Sequence, residues 1–261
     1  IEGDNNVLYV IDGIPLFNFS GGTDSGIMGE GRVSSEGIAD LNPEDIESIN
    51  VLAGPSAAAL YGSNAANGAI LITTKKGKEG RVEIAFSSAA DFSSPLLMPE
   101  FQNRYGNKQG SYESWGEKLA TPSSYDPKKD FFRTGTNFIN ALTVNAGNEI
   151  NQTFASIATT NSRGIVPNNT YDRYNFTVRN TTSMFNKKVQ LDLGASYIKQ
   201  KDNNMVSQGE YWNPIVAAYL YPRGESFESI KTFERYDNVR NFPTQYWPIS
   251  DSRYANQNPY W

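Results

Sequence analysis

LNPEDIESINVLAGPSAAALYGSNAANGAILITTKKG, residues Leu41 to Gly77, decides the fold of the first part of this chain. Asn42 is placed to cap a short helix, with Pro43 at its first position and Glu44 and Asp45 in its first turn, where carboxylates face free N–H groups. Ser48 to Leu52 reads as a strand. Pro55 opens an alanine-rich helix over Ser56 to Tyr61, and Gly62 stands where a left-handed C-terminal residue belongs. After the turn at Asn67-Gly68, the apolar run Ala69 to Thr74 reads as a second strand, ended by Lys75 and Lys76. Upstream, Val7 to Pro15 (VLYVIDGIP) reads as a strand and turn.

Beyond the lysines the pattern changes to alternation with a period of two. Arg81 to Asp91 puts Val82, Ile84, Phe86, Ser88 and Ala90 on one face, with Arg81, Glu83, Ala85, Ser87 and Ala89 on the other. Phe138 to Gly147 sets Phe138, Leu142, Val144 and Ala146 against Thr143 and Asn145. Tyr171 to Thr182 sets Tyr174, Phe176 and Val178 against Arg173, Asn175, Thr177 and Arg179. Lys188 to Lys199 sets Val189, Leu191, Leu193, Ala195 and Tyr197 against Gln190, Asp192 and Ser196. Gln152 to Ser162 is a weaker member, because Phe154 and Ile157 fall on opposite faces. Segments of ten or so alternating residues fit tilted transmembrane strands, although a soluble β-sandwich alternates in the same way. Connection lengths favour the membrane: Asn148 to Asn151 and Ser183 to Lys187 are short, Arg163 to Thr170 is intermediate, and Phe92 to Asn137 and Lys201 to Trp261 are long. Outer-membrane barrels alternate short periplasmic turns with long outer loops in this way. About five strands cannot close a barrel, so the expected fold is an incomplete one.

Composition narrows the function. The 261 residues contain neither cysteine nor histidine, which removes thiol nucleophiles, imidazole bases and zinc-finger motifs, and which suits an oxidising periplasm. A mean hydropathy of −0.52, with no run of about 18 apolar residues, argues against a helical membrane protein but leaves a barrel open. The net charge of −5 gives no reason to expect nucleic acid. The chain begins abruptly at Ile1-Glu2-Gly3 without a signal peptide and reads as a piece of a longer protein.

Four segments carry a family resemblance: LYVIDGIPL, NPEDIESINVLAGPSAAALYGSNAANGAILITTKKG, GIVPNNTYDRYNFTVRNTTS and QNPYW. Together they resemble the TonB-dependent outer-membrane transporters, within them the SusC/RagA-like importers of Bacteroidota. The resemblance implies a mixed α/β plug followed by antiparallel transmembrane β-barrel strands, an incomplete plugged β-barrel. It puts the C-terminal part of the plug at residues 1–78 and the first strands and extracellular loops at 79–261. It implies active import of an oligosaccharide or oligopeptide, with a SusD-like surface lipoprotein and the TonB complex as partners and outer-membrane lipid around the wall. The TonB-contacting segment lies upstream of Ile1 in the family. A surface glycan-binding or adhesin module without transport is the main rival, ahead of a passive porin and a secreted glycosidase.

Each chemical motif has a plainer reading beside it. Gly54 to Gly68 lacks the lysine of a phosphate loop, and Gly26, Gly29 and Gly31 fail the dinucleotide spacing at Ser34. Glu44, Asp45 and Glu47 resemble an acid/base set but fall in one capped helical turn, and Asp12 belongs to a strand turn. No nucleophile, base and oxyanion arrangement stands out, so neither catalytic residues, a cofactor nor a metal site is expected. The Asn-X-Ser/Thr triplets at Asn18, Asn151, Asn168, Asn175 and Asn180 read as lumen and turn chemistry. Plug loops floor the substrate cavity in the family, which makes Asn18, Phe19, Asp24 and Arg32 of the Gly/Ser-rich stretch Phe17 to Ile38 candidate ligand contacts. The long loops add Tyr105, Trp115, Tyr211 and Trp212 as candidates, from aromatic clusters that also suit partner docking and loop packing.

Overall fold

Small side chains let the first unit pack tightly around a four-stranded sheet. In the computed structural model, which describes residues 7–16, 38, 41–108, 113–206, 209, 212–249 and 257–261, β1 (Leu8–Ile11) and β2 (Ile14–Leu16) form a hairpin around Asp12-Gly13. β3 (Ile46–Leu52), helix α1 (Gly54–Tyr61) and β4 (Ala69–Thr74) follow. The sheet order is β2-β1-β4-β3, with β1 and β4 parallel. Leu8, Val10, Ala57, Ala65 and Ala69 are buried, with Leu52, Tyr61 and Leu71 packed against them. The Asn42 side chain caps a single 3₁₀ turn, Pro43–Asp45, accepting from the Glu44 N–H at 3.2 Å. Because that turn is short, β3 starts at Ile46, two residues earlier than the expected Ser48. Gly62 has φ +74 but ψ −160, an extended rather than left-handed helical cap, and the chain continues into a 3₁₀ turn to Ala65.

Alternation then yields the expected long strands. β5 (Gly80–Ser93) is followed, after a short hairpin of β6 (Tyr105–Asn107) and β7 (Ser114–Lys118) and the one-turn helix α2 (Pro127–Asp130), by β8 (Gly135–Gly147). β9 (Asn151–Arg163), β10 (Thr170–Met184) and β11 (Val189–Asn203) complete an antiparallel sheet in the order β11-β10-β9-β8-β5. β5 and β11 are both free edges, so the sheet is an unclosed part of a barrel wall. The last stretch, expected as loop, carries α3 (Pro214–Leu220), a 3₁₀ turn Phe227–Lys231 and the hairpin β12 (Glu234–Asp237) and β13 (Phe242–Gln245).

Register assigns every side chain to a face. Phe86, Leu142, Ile157, Phe176 and Tyr197 lie opposite one another across the five strands, and Ile84, Val144, Ala155, Val178 and Ala195 form the next row. The first unit packs on the other face, through Ser87, Asn145, Arg179 and Asp192. The apolar rows therefore face outward. Phe154 points inward and is buried while Ile157 points outward and is exposed, which explains the weak alternation of β9. One sequence reading is corrected. Asn175 and Thr177 do face inward, but Asn151, Thr153, Asn180 and Thr182 share the outward face with Val178. They bond to one another, Asn180 Nδ2 to Thr153 Oγ1 at 2.8 Å and Asn151 Nδ2 to Thr182 Oγ1 at 2.9 Å, and so satisfy their polar groups away from the lumen.

Candidate functional site at the plug–wall contact

The turn after β1 and the end of β4 bring Asp12 and Thr74 together. Thr74 donates to Asp12 through its backbone N–H at 2.9 Å and its hydroxyl at 2.6 Å. Arg179, projecting inward from β10, reaches the same pair: its Nη1 lies 2.7 Å from Asp12 Oδ2 and also bonds Thr74 Oγ1. Its Nε donates to Asp192 Oδ1 on β11 at 3.1 Å, and Lys76 Nζ, just past β4, meets Asp192 Oδ2 at 2.8 Å. Two carboxylates and two cations thus alternate across the contact, each charge having an opposite neighbour. Burial pushes the Asp12 carboxyl up, but hydrogen bonds from Thr74 and Arg179 and the guanidinium charge outweigh it and hold its pKa below the ordinary 3.8. Asp12 stays ionised at neutral pH.

Around this network lies a cleft of about 350 Å³ between the two sheets, lined by Asp12, Asp45, Thr74, Phe154, Thr177 and Arg179 among others. Further hydrogen bonds between the sheets are few, and Phe154 is buried in the cleft. Lys78 N–H donates to Asn145 Oδ1 at 2.8 Å, and Ser87 Oγ to Glu44 Oε1 at 3.1 Å. At Gly77 the chain leaves the first unit so close to β9 that a Cβ would lie 2.4 Å from Gln152 C and Thr153 N. Sequence reasoning put Arg179 on the correct face and Asp12 in its turn, yet had no signal that paired them.

Residues 1–69 match the TonB-dependent Receptor Plug Domain family. The chain is 30% identical over 212 residues to the TonB-dependent receptor SusC of Bacteroides thetaiotaomicron, covering 77% of this chain and 20% of that protein. It is 28% identical over 241 residues to the TonB-dependent receptor P26 of Formosa agariphila, covering 87% of this chain and 22% of that one. Among solved structures, the RagAB peptide transporter superposes with a TM-score of 0.54 at 20% identity, over 77% of this chain and 25% of that chain. This chain belongs to the SusC/RagA-like TonB-dependent transporters of the outer membrane. It spans about a fifth of the length of these two curated relatives.

In the SusC/RagA-like frame the first sheet is plug, the five long strands are barrel wall, and Arg179 joins them. The connections at the far end of the wall from the two short turns pack into one aromatic core. Phe131, Phe132, Val166, Tyr219, Tyr221, Phe227 and Ile230 are buried there, with Tyr125, Trp247 and Tyr260 against them. Tyr125 stacks on Phe227 at 4.1 Å, and its hydroxyl donates to Ala218 O at 2.8 Å. Burial raises the phenols of Tyr125 and Tyr260, the latter pushed up to about 12 with help from Glu228 and Asp130, so both remain protonated. Asn258 sits buried at the junction, its Nδ2 donating to Ile230 O and Tyr246 O and its Oδ1 accepting from Tyr260 N–H. Most loop aromatics are therefore occupied in packing. Of the candidate contacts, Tyr105 and Trp115 pair on the β6–β7 hairpin with ring centroids 5.8 Å apart, and Trp212 stands just before α3. Asn18, Phe19, Asp24, Arg32 and Tyr211 lie outside the described residues.

Proposed function

We propose that this chain is the plug-and-wall portion of an energised importer that carries an oligosaccharide or oligopeptide across the outer membrane. In this reading the plug ends near residue 78, the wall begins at 79, a SusD-like surface lipoprotein delivers the cargo, and TonB supplies the force. The observation that carries the reading is the Asp12–Arg179 contact. The plug has its own apolar core, and the described plug–wall bonds are polar and few, so the plug can leave the wall without dismantling either sheet. Ligand arrival would have to favour one plug state over another for binding to release it. SusC is described as a TonB-dependent receptor, which supports import. Trp115 and Trp212 support a contact role at the loops, because each is an exposed bulky residue held at positive φ, +67 and +57.

Uptake by the full-length transporter tests this. Asp12→Cys with Arg179→Cys introduces two thiols into a chain region that has none. A reducible bis-thiosulfonate cross-linker should then abolish uptake, and a reductant should restore it. Loss of TonB should abolish uptake as well. Uptake indifferent to both would favour a passive pore, and surface binding without uptake would favour the glycan-binding module.

A further inference from the structure

The outward face of β11 changes abruptly along its length. Val189, Leu191, Leu193, Ala195 and Tyr197 are apolar or aromatic, and the next two outward positions are Lys199 and Lys201. Val189 and Tyr197 are eight residues apart, about 26 Å along a strand and about 20 Å of height at the usual tilt, close to the apolar band of an outer-membrane barrel. The change occurs in register on neighbouring strands. Tyr174 lies opposite Lys199 and Asp172 opposite Lys201, and on β9 outward Ile157 gives way to Thr159, Asn161 and Arg163. Tyr197 and Tyr174 therefore mark an aromatic girdle, with cations directly beyond it on the side of the long loops.

Among the described residues these three cations have one carboxylate, Asp172, beside them. Arg163 pairs with Asp172 at 3.2 Å, and Asp172 also accepts from Asn161 Nδ2 at 2.8 Å, so that carboxylate is occupied. Among the described residues Lys199 and Lys201 form no ion pair within 4 Å, although Lys201 lies opposite Asp172 and feels its charge, and the two lysines stand two residues apart on the same face. Three cations against one carboxylate leave net positive charge at the level where lipid headgroups begin, and that charge attracts phosphate.

We propose that Lys199 and Lys201, with Arg163 beside them, form a site for the phosphate groups of an outer-leaflet lipid headgroup, which fixes the transporter's depth and rotation in the membrane. The proposal rests on the outward orientation of the alternate β11 residues and holds whether or not the transporter imports by plug displacement.

The test uses the full-length transporter in detergent, with native mass spectrometry after addition of bisphosphorylated lipid A, its dephosphorylated form, or inorganic phosphate. Retention of the bisphosphorylated lipid is expected to fall about twenty-five-fold in the Lys199→Gln/Lys201→Gln variant, at roughly fivefold for each lysine near an anionic surface. Lys199→Arg/Lys201→Arg should retain it, and heat-modified migration on gels should confirm an intact barrel in both variants. Equal retention of the dephosphorylated lipid would overturn the proposal. So would unchanged retention in the glutamine variant, or displacement of the lipid by millimolar inorganic phosphate, which would mean a free-anion site.

Discussion

Arg179 Nη1 lies 2.7 Å from Asp12 Oδ2, an ion pair between residues 167 positions apart that joins plug to wall. Its side chains are about one-fifth exposed, 17% for Arg179 and 21% for Asp12, so solvent screens it only in part. Arg179 is shared with Asp192, which in turn holds Lys76 beyond the plug's last strand. Loss of this one guanidinium removes the bridge between the two carboxylates and leaves Asp12 without its cation, while Asp192 keeps only Lys76.

Arg179→Ala should therefore loosen the plug more than it loosens the barrel. Hydrogen bonds to charged groups contribute about 1.5–3 kcal/mol when well enclosed, and partial exposure brings the expected loss to about 1–2 kcal/mol. Hydrogen exchange on the full-length transporter should show roughly tenfold faster exchange in Leu8–Ile11 and Ala69–Thr74, with β8 and β9 unchanged. Equal acceleration in both sheets would mean that Arg179 supports the wall itself. Asp12→Asn combined with Arg179→Ala should add little to either single change.

Acid should act on the same contact. Because the folded pKa of Asp12 is depressed below 3.8, its contribution is present at pH values above 3.8 and is lost as pH falls through the lowered value. Plug protection should be flat between pH 5 and 7 and should decline below pH 4, after correction for intrinsic exchange. In Asp12→Asn the decline should be shallower, and the two proteins should converge at low pH. Parallel curves would assign the acid sensitivity to other carboxylates.

The wall was legible in the sequence because alternation reports a two-sided environment, and four of its strands have lipid on one side and polar lumen on the other. β9 read poorly for a physical reason: Phe154 is an apolar residue on the inner face, buried beneath the plug, and no local pattern encodes a plug. Polarity alone points the Asn-Thr triplets of the wall to lumen or turn, whereas Asn151, Thr153, Asn180 and Thr182 satisfy one another and tolerate the outward face. The plug's strand–helix–strand unit was readable from capping and turn residues. The Asp12–Arg179 pair was not, since nothing local connects residues so far apart in sequence. The short elements of the long connections escaped for the opposite reason: α2 has one turn and β6 three residues, too short for a period to register.

Face assignment gives a sharp test on one strand. Ile157→Arg puts a cation on the outward face in the middle of β9, where a charge near the bilayer midplane costs about 2–4 kcal/mol. Ser162→Lys puts a cation on the inward face, in register with Asn137 and Tyr171 and one bond from the Asn137–Asp91 pair, and should cost under about 1 kcal/mol. Urea unfolding of the full-length barrel in lipid vesicles should separate the two variants in that order. The reverse order would invert the orientation of the whole sheet.

Asn258 offers the corresponding test for the outer loops. It is 1% exposed, and its side chain makes two donor bonds, at 2.8 Å to Ile230 O and 2.7 Å to Tyr246 O, and one acceptor bond at 2.9 Å from Tyr260 N–H. Alanine in its place would leave two carbonyls and one N–H buried without those partners, at about 1–3 kcal/mol for each group that water cannot reach. The Asn258→Ala transporter should insert normally, because none of these groups belongs to the wall. Its loops should be cut faster by protease, with cleavage beginning between Phe227 and Tyr246, where the tethered carbonyls lie. Asn258→Asp should behave almost as badly, since a carboxylate keeps the bond from Tyr260 and cannot donate to either carbonyl. Protease resistance equal to wild type in both variants would show that the aromatic core holds the loops without this residue.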